Sequence, residues 1–179
     1  MTQTKFIPSG GLAFVEEKDL RKISKYAKEG WILESFAMLG YRLKKGEPRN
    51  IEYEIDYQTG VDEDYFAYFE EAGWSHVCSA GDEIHVFSAP VGTKPIYSDK
   101  ETIIEKYERE KRQMGKYALP FLLSYVLYFL LYALSKSTWV PEMVGMVSVF
   151  LGIVTMIGLV FTGLPYIAYS FKLNKLRKP

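Results

Sequence analysis

An α+β domain followed by a two-helix transmembrane hairpin is the fold that this sequence predicts, on two observations. Residues 117–135 and 143–171 form uncharged stretches of 19 and 29 residues, each longer than the roughly 18 apolar residues that mark a membrane span. Ahead of them, strand and helix signals alternate, and each helix signal ends in Gly-Trp, at Gly30-Trp31 and Gly73-Trp74. A length of 179 residues suits one small domain with an appendage. The division is residues 1–97 for the domain, 98–116 for a connector helix, 117–135 and 143–171 for the spans, and 172–179 for a basic tail.

In order along the chain, 6–14 is a short apolar stretch interrupted by Pro8, Gly10 and Gly11, and 16–29 has helical spacing with Leu20, Ile23 and Ala27 on one side. Residues 31–44 read as strand, and 51–57 alternate strictly. Residues 62–72 form a second helix with Tyr65, Phe66 and Phe69, and 74–88 read as strand with a turn near Ala80-Gly81. A Gly past a helix end takes the left-handed cap at little cost, and the Trp after it opens a strand in the core. The order βαββαβ is that of a ferredoxin-like unit, with the strand after each Trp able to bend into a hairpin.

Two hairpin registers bring candidate chemistry together. A five-residue loop at 46–50 would set Lys44 opposite Glu52 and Arg42 opposite Glu54. Arg42, Lys44, Glu52, Glu54 and Asp56 then form a charged sheet face, either merely solvated or a surface for a ligand or partner. A two-residue loop at Ala80-Gly81 would set His76 opposite His85, Cys78 opposite Glu83 and Trp74 opposite Phe87. His76, Cys78 and His85 would then be zinc or copper donors, although neither CxxC nor HxxxH spacing supports them. A half-buried His pair beside Trp is the plainer reading, and a pH-sensing pair a further one.

No GxSxG, P-loop or GxGxxG occurs, so neither enzyme activity nor a cofactor is expected. The domain, with 11 basic and 16 acidic groups in residues 1–97 and a net charge of −5, is expected not to bind nucleic acid. A lone cysteine, Cys78, makes no internal disulfide and fits a reducing compartment.

The connector opens at Ser98-Asp99-Lys100-Glu101, a capping box, with Ile103, Ile104, Tyr107 and Met114 along one side. It is read as a solvated stalk or as a helix that transmits motion into the span, where Pro120 falls in the first apolar turn. Five basic residues precede the first span (Lys106, Arg109, Lys111, Arg112, Lys116) and four follow the second (Lys172, Lys175, Arg177, Lys178), against Lys136 in the loop. The positive-inside rule then places both termini in the cytoplasm of a multi-pass cell-membrane protein, and no signal peptide opens the chain.

Phe121, Tyr125, Tyr128 and Tyr132 share one helical face, and Gly145, Ser148, Gly152, Thr155, Leu159 and Thr162 share another. Folding the hairpin sets Tyr132 beside Gly145 and Tyr125 beside Gly152, with tyrosine hydroxyls in reach of Ser148 or Thr155. Rings packed into a small-residue groove is the plain reading; a polar path through an oligomer is the other. Trp139, Tyr166 and Tyr169 fall where interfacial aromatic belts belong. The zero net charge is a sum of −4 over residues 1–116 (17 basic, 21 acidic) and +4 over 117–179 (5 basic, 1 acidic).

Tyr26-Ala27-Lys28-Glu29-Gly30-Trp31-Ile32-Leu33, Tyr41-Arg42-Leu43, Gly46-Glu47-Pro48, Tyr53-Glu54-Ile55-Asp56-Tyr57 and the element from Phe69 to Trp74 resemble an uncharacterised family of Gram-positive bacterial membrane proteins, catalogued as a domain of unknown function. The resemblance covers roughly residues 16–90, with Lys22 where the family pattern has Trp. It implies a cytoplasmic domain joined to C-terminal membrane helices, often coded beside PadR-like repressors, with no catalytic residue to carry over. The expected function is a membrane-anchored cytoplasmic binding or sensory module, regulatory in envelope or antimicrobial stress, with a protein partner or a second copy of itself. The alternatives are an accessory or immunity-type subunit docking a membrane partner through its hairpin, and a metal-dependent enzyme.

Overall fold

A computed structural model of the protein describes residues 3–137 and 141–178. It divides into two units, Met1–Lys106 and Tyr107–Pro179. The first contains β1 (Thr4–Pro8), α1 (Leu12–Lys28), β2 (Trp31–Ala37), β3 (Gly40–Lys45), β4 (Ile51–Tyr57), α2 (Glu63–Glu71), β5 (Ser75–Ala80) and β6 (Ile84–Pro90). The class is α+β, as predicted, and the strand after each Gly-Trp is a hairpin.

The strands form two antiparallel sheets, ordered β1-β3-β2 and β4-β6-β5. This overturns the register expected across residues 46–50. Arg42 lies opposite Phe6 and Ser35, and Lys44 opposite Thr4 and Ile32, whereas Glu54 lies opposite Phe87 and Asp56 opposite His85. The reason is local. The tight turn at Met38-Leu39 folds β2 back onto β3, β1 takes the other edge, and β3 has no hydrogen-bonding edge left for β4.

The second hairpin differs as well. Its loop is the three residues between Ala80 and Ile84, and a bulge shifts the ladder between His76 and Cys78. His76 therefore faces Phe87, Cys78 faces Val86, and Ser79 faces His85. The turn at 81–83 sets Ser79 opposite His85, and the extra residue in β5 then shifts His76 by one position onto Phe87.

α1 starts four residues earlier than its apolar spacing suggests, with Val15 outside helical geometry. Its Leu20, Ile23 and Ala27 pack with Leu33, Leu43, Tyr53, Ile55 and Val86, so one core serves both sheets. Ile23, Leu43, Ile55 and Val86 are fully buried, which contributes about 1.5–3 kcal/mol for each large side chain. A second cluster joins Phe69, Trp74, Phe87 and Ala89, and the Trp74 indole donates to the Lys94 carbonyl at 3.0 Å. Gly30 has φ +79°, and a Cβ there would stand 2.6 Å from the Gly46 carbonyl oxygen. Glycine is required at that helix end by conformation and by space.

α3 (Lys100–Leu134) begins in the first unit and continues into the second, and α4 (Glu142–Arg177) follows. The cap of α3 is Asp99 rather than Ser98: Asp99 Oδ1 accepts from the Thr102 amide at 2.9 Å. Both helices are long and apolar enough to cross a membrane. Leu123, Leu130, Val147, Phe150 and Phe161 are exposed, a surface that suits lipid and not water.

Candidate functional site

The polar side of β4 is densely hydrogen-bonded. Alternation along the strand turns Tyr53, Ile55 and Tyr57 into the core and Glu52, Glu54 and Asp56 the other way. That second face is covered. Glu52 accepts from the Gly92 amide at 3.2 Å and Glu54 from the Ile96 amide at 2.9 Å. Asp56 accepts from the Tyr57 amide at 2.8 Å, from the Tyr65 hydroxyl at 2.7 Å, and from the Tyr97 hydroxyl. The acidic row thus straps the segment after β6 across the strand. Burial pushes the Glu54 carboxyl up, offset in part by the Ile96 amide and Lys106. Arg42 and Lys44 belong to the other sheet, exposed, with Lys44 Nζ 4.0 Å from Glu34.

Beside this row lies a buried ion pair that the sequence reading missed. Lys106 Nζ donates to Glu16 Oε1 at 2.6 Å, and the Tyr57 hydroxyl donates to Glu16 Oε2 at 2.8 Å. The ammonium stands over the Tyr57 and Tyr97 rings at 5.1 and 4.9 Å, where ring quadrupoles attract a desolvated cation. Glu16, Tyr57, Lys106, Tyr97, Asp56 and Tyr65 form one network that holds the start of α3 against α1 and β4. A signal for it existed: Glu16 stands one turn before Leu20, Ile23 and Ala27, a carboxylate on the buried stripe of α1.

The histidines form a chain of a different kind. His85 Nε2 lies 2.9 Å from the Gln58 carbonyl, His85 Nδ1 2.7 Å from Ser79 Oγ, and Ser79 Oγ 2.9 Å from His76 Nε2. A carbonyl only accepts, so His85 carries a proton on Nε2; in the neutral imidazole Nδ1 then accepts from the Ser79 hydroxyl, and Ser79 Oγ accepts from His76. Tyr65 and Phe66 of α2 pack on the two rings. Burial, then the neighbouring His85, pushes His76 down. Cys78 is not brought to this pair. It packs at the edge of the main core, where burial pushes its thiol up to about 11 against a partial offset from the Phe36 backbone. Among the described residues no group of three His, Cys, Asp or Glu is placed to hold a metal ion.

A family model described as "Protein of unknown function (DUF2812)" matches residues 15–119, from the first turns of α1 into the apolar part of α3. The chain belongs to this family. The DUF2812 match takes in the acidic row, the Glu16–Lys106 pair and the histidine chain alike. No curated protein and no solved structure matches the chain.

Most of the second unit lies beyond the DUF2812 match. Its rings do pack onto small residues, one turn away from the expected pairing. A Cβ at Gly152 would stand 2.8 Å from the Tyr128 ring, one at Gly158 2.3 Å from Phe121, and one at Gly145 3.5 Å from Ser135. Tyr125, Tyr128 and Tyr132 form a ladder of rings 5.6 and 5.9 Å apart. The buried Ser148 and Thr155 hydroxyls bond their own helix, at Gly145 and at Leu151 and Gly152, and not the tyrosines. Tyr169 is buried against Tyr107, and Tyr166 covers Gly115. Trp139 lies outside the described residues.

Proposed function

We propose that the chain is a membrane-anchored regulatory module in which the first unit binds a protein partner or a small ligand, and α3 carries the resulting change into the membrane. One observation carries this reading. α3 carries Lys106, locked to Glu16, in its second turn and continues to Leu134, through a stretch apolar enough to cross a bilayer. A change at the Glu16, Tyr57 and Asp56 network would act directly on the first turns of that helix, and nothing in the reading calls for turnover. The basic residues flanking the two apolar stretches support cytoplasmic termini in a cell membrane. The element order, with each post-Trp strand doubled, supports a ferredoxin-like origin for the domain. The envelope-stress setting and bacterial origin rest on the family resemblance alone.

A second reading, docking of a membrane partner through the hairpin, is favoured by a cleft of about 580 Å³ lined by Tyr132, Ser135, Gly145, Met146, Val149 and Ile153. Recovery of the full chain from membranes with its partners, identified by mass spectrometry, separates the two. Loss of the partner in Glu16→Leu with Lys106→Met, but not in Gly145→Leu with Gly152→Leu, supports the regulatory module. The reverse pattern overturns it in favour of hairpin docking. Impermeant maleimide labelling of a cysteine placed at Lys136 from outside the cell, and at Lys178 only after permeabilisation, is the expected orientation result.

A further inference from the structure

The histidine chain has the arrangement of an activated nucleophile. Ser79 is exposed on β5, and His85, directly across on β6, is buried with only 2% of its surface exposed. The imidazole is fixed from its far side by the Gln58 carbonyl at 2.9 Å and held by the Tyr65 ring at 5.5 Å. Its lone pair on Nδ1 meets the Ser79 hydroxyl at 2.7 Å. Nucleophile, base and orienting group within hydrogen-bond reach of one another is the arrangement that makes a serine hydroxyl reactive at neutral pH. His76 adds a donor on the open side, its Nε2 2.9 Å from Ser79 Oγ. A ring N–H so placed is a donor at the mouth of the site, within reach of charge that develops beside the attacking oxygen. Phe66, half-buried with its ring 4.7 Å from His76, gives the site an apolar wall, backed by the fully buried Phe87.

We propose that Ser79 is the nucleophile of an acyl-transfer site, with His85 as its general base and His76 as donor to the developing oxyanion, acting on small esters or thioesters with an apolar acyl group. Ser79 Oγ bonds to the carbonyl carbon as its proton passes to His85 Nδ1. The carbon–oxygen or carbon–sulfur bond to the leaving group then breaks, and the proton on His85 goes to the departing alkoxide or thiolate, leaving acyl-Ser79 and an alcohol or thiol. Water activated by His85 repeats the sequence, releasing the carboxylic acid and restoring the serine. This inference does not rest on the regulatory reading, although Tyr65, whose ring packs on His85, also donates to Asp56 of the Glu16–Lys106 network.

The test treats the full chain in detergent micelles with a fluorophosphonate and measures adducts by peptide mass spectrometry at Ser79 and at Ser75, an exposed serine on the same strand. Modification of Ser79 at least about a hundredfold faster than Ser75 is the expected result, the scale of general-base assistance, with loss of most of that advantage in His85→Gln. Hydrolysis of p-nitrophenyl butyrate is expected from the parent chain and not from Ser79→Ala. Equal rates at Ser79 and Ser75 in the parent chain overturn the proposal, and so does ester hydrolysis undiminished in Ser79→Ala. The serine ratio is read on the unaltered protein, so it decides the matter even where His85→Gln fails to fold.

Discussion

Lys106 Nζ lies 2.6 Å from Glu16 Oε1 across 90 residues of sequence, with both side chains buried. Removing one partner leaves a charge stranded away from water. Lys106→Met is expected to lower the unfolding free energy of the first unit by about 3–5 kcal/mol, and Lys106→Met with Glu16→Leu to recover most of it. Denaturant titration followed by tryptophan fluorescence checks both; a Lys106→Met chain as stable as the parent would mean that the pair contributes nothing.

Stability is expected to fall at alkaline pH. Burial pushes Cys78 up to about 11 from its ordinary 9.0 and raises the Tyr41 and Tyr53 phenols as well. Above its ordinary value the unfolded chain releases the thiol proton while the folded chain keeps it. This contribution is therefore fully present below pH 9.0 and is lost as pH rises toward 11. Thermal midpoints should drop across that window, and Cys78→Ala should flatten the slope without abolishing it, because the two tyrosines remain.

Gly30→Ala is expected to cost about 1–3 kcal/mol for the left-handed backbone alone, and more because the new methyl meets the Gly46 carbonyl oxygen at 2.6 Å. Gly60, with φ +64° and no atom within 4 Å of the point where a Cβ would stand, is the control: Gly60→Ala should be the milder of the two. Equal midpoints for the two variants would contradict the close approach at Gly30.

In the second unit, the Cβ position of Gly145 is 3.7 Å from Ser135 Cβ, inside the usual separation of about 3.5–4.5 Å for a disulfide. Ser135→Cys with Gly145→Cys, in a Cys78→Ala background, should close a disulfide on mild oxidation, seen as a shift on a non-reducing gel. Adding Gly158→Leu, which drives a side chain into the Phe121 ring at 2.3 Å, should lower the yield. Unchanged cross-linking would place the ring contact elsewhere.

Much of the element order was legible because it is written in short-range signals: helical spacing in α1, strict alternation in β4, Gly-Trp at each helix end and two uncharged stretches. The sites were less so. Pairing Arg42 with Glu54 assumed that neighbours in sequence are neighbours in a sheet, but β3 is used on both edges before β4 begins. Pairing His76 with His85 failed because the turn occupies residues 81–83 rather than Ala80-Gly81, which sets Ser79 opposite His85, and the bulge after His76 then moves His76 onto Phe87. The dyad spans a turn with no motif, so a search for GxSxG had nothing to find. Cross-helix pairs in the hairpin missed by one turn because the described contacts set Tyr128, not Tyr125, on Gly152.

By itself the sequence determined the α+β class, the two helices long and apolar enough for a membrane, and the division into an acidic front and a basic-flanked hairpin, because periodicity and charge content are properties of a chain before it folds. Tertiary structure alone decided that Glu16 meets Lys106, that the acidic row of β4 is covered rather than open, and that a serine lies between two imidazoles. Those depend on which strand edges remain free and on where one residue is inserted, and a period-2 pattern is the same on either side of that choice.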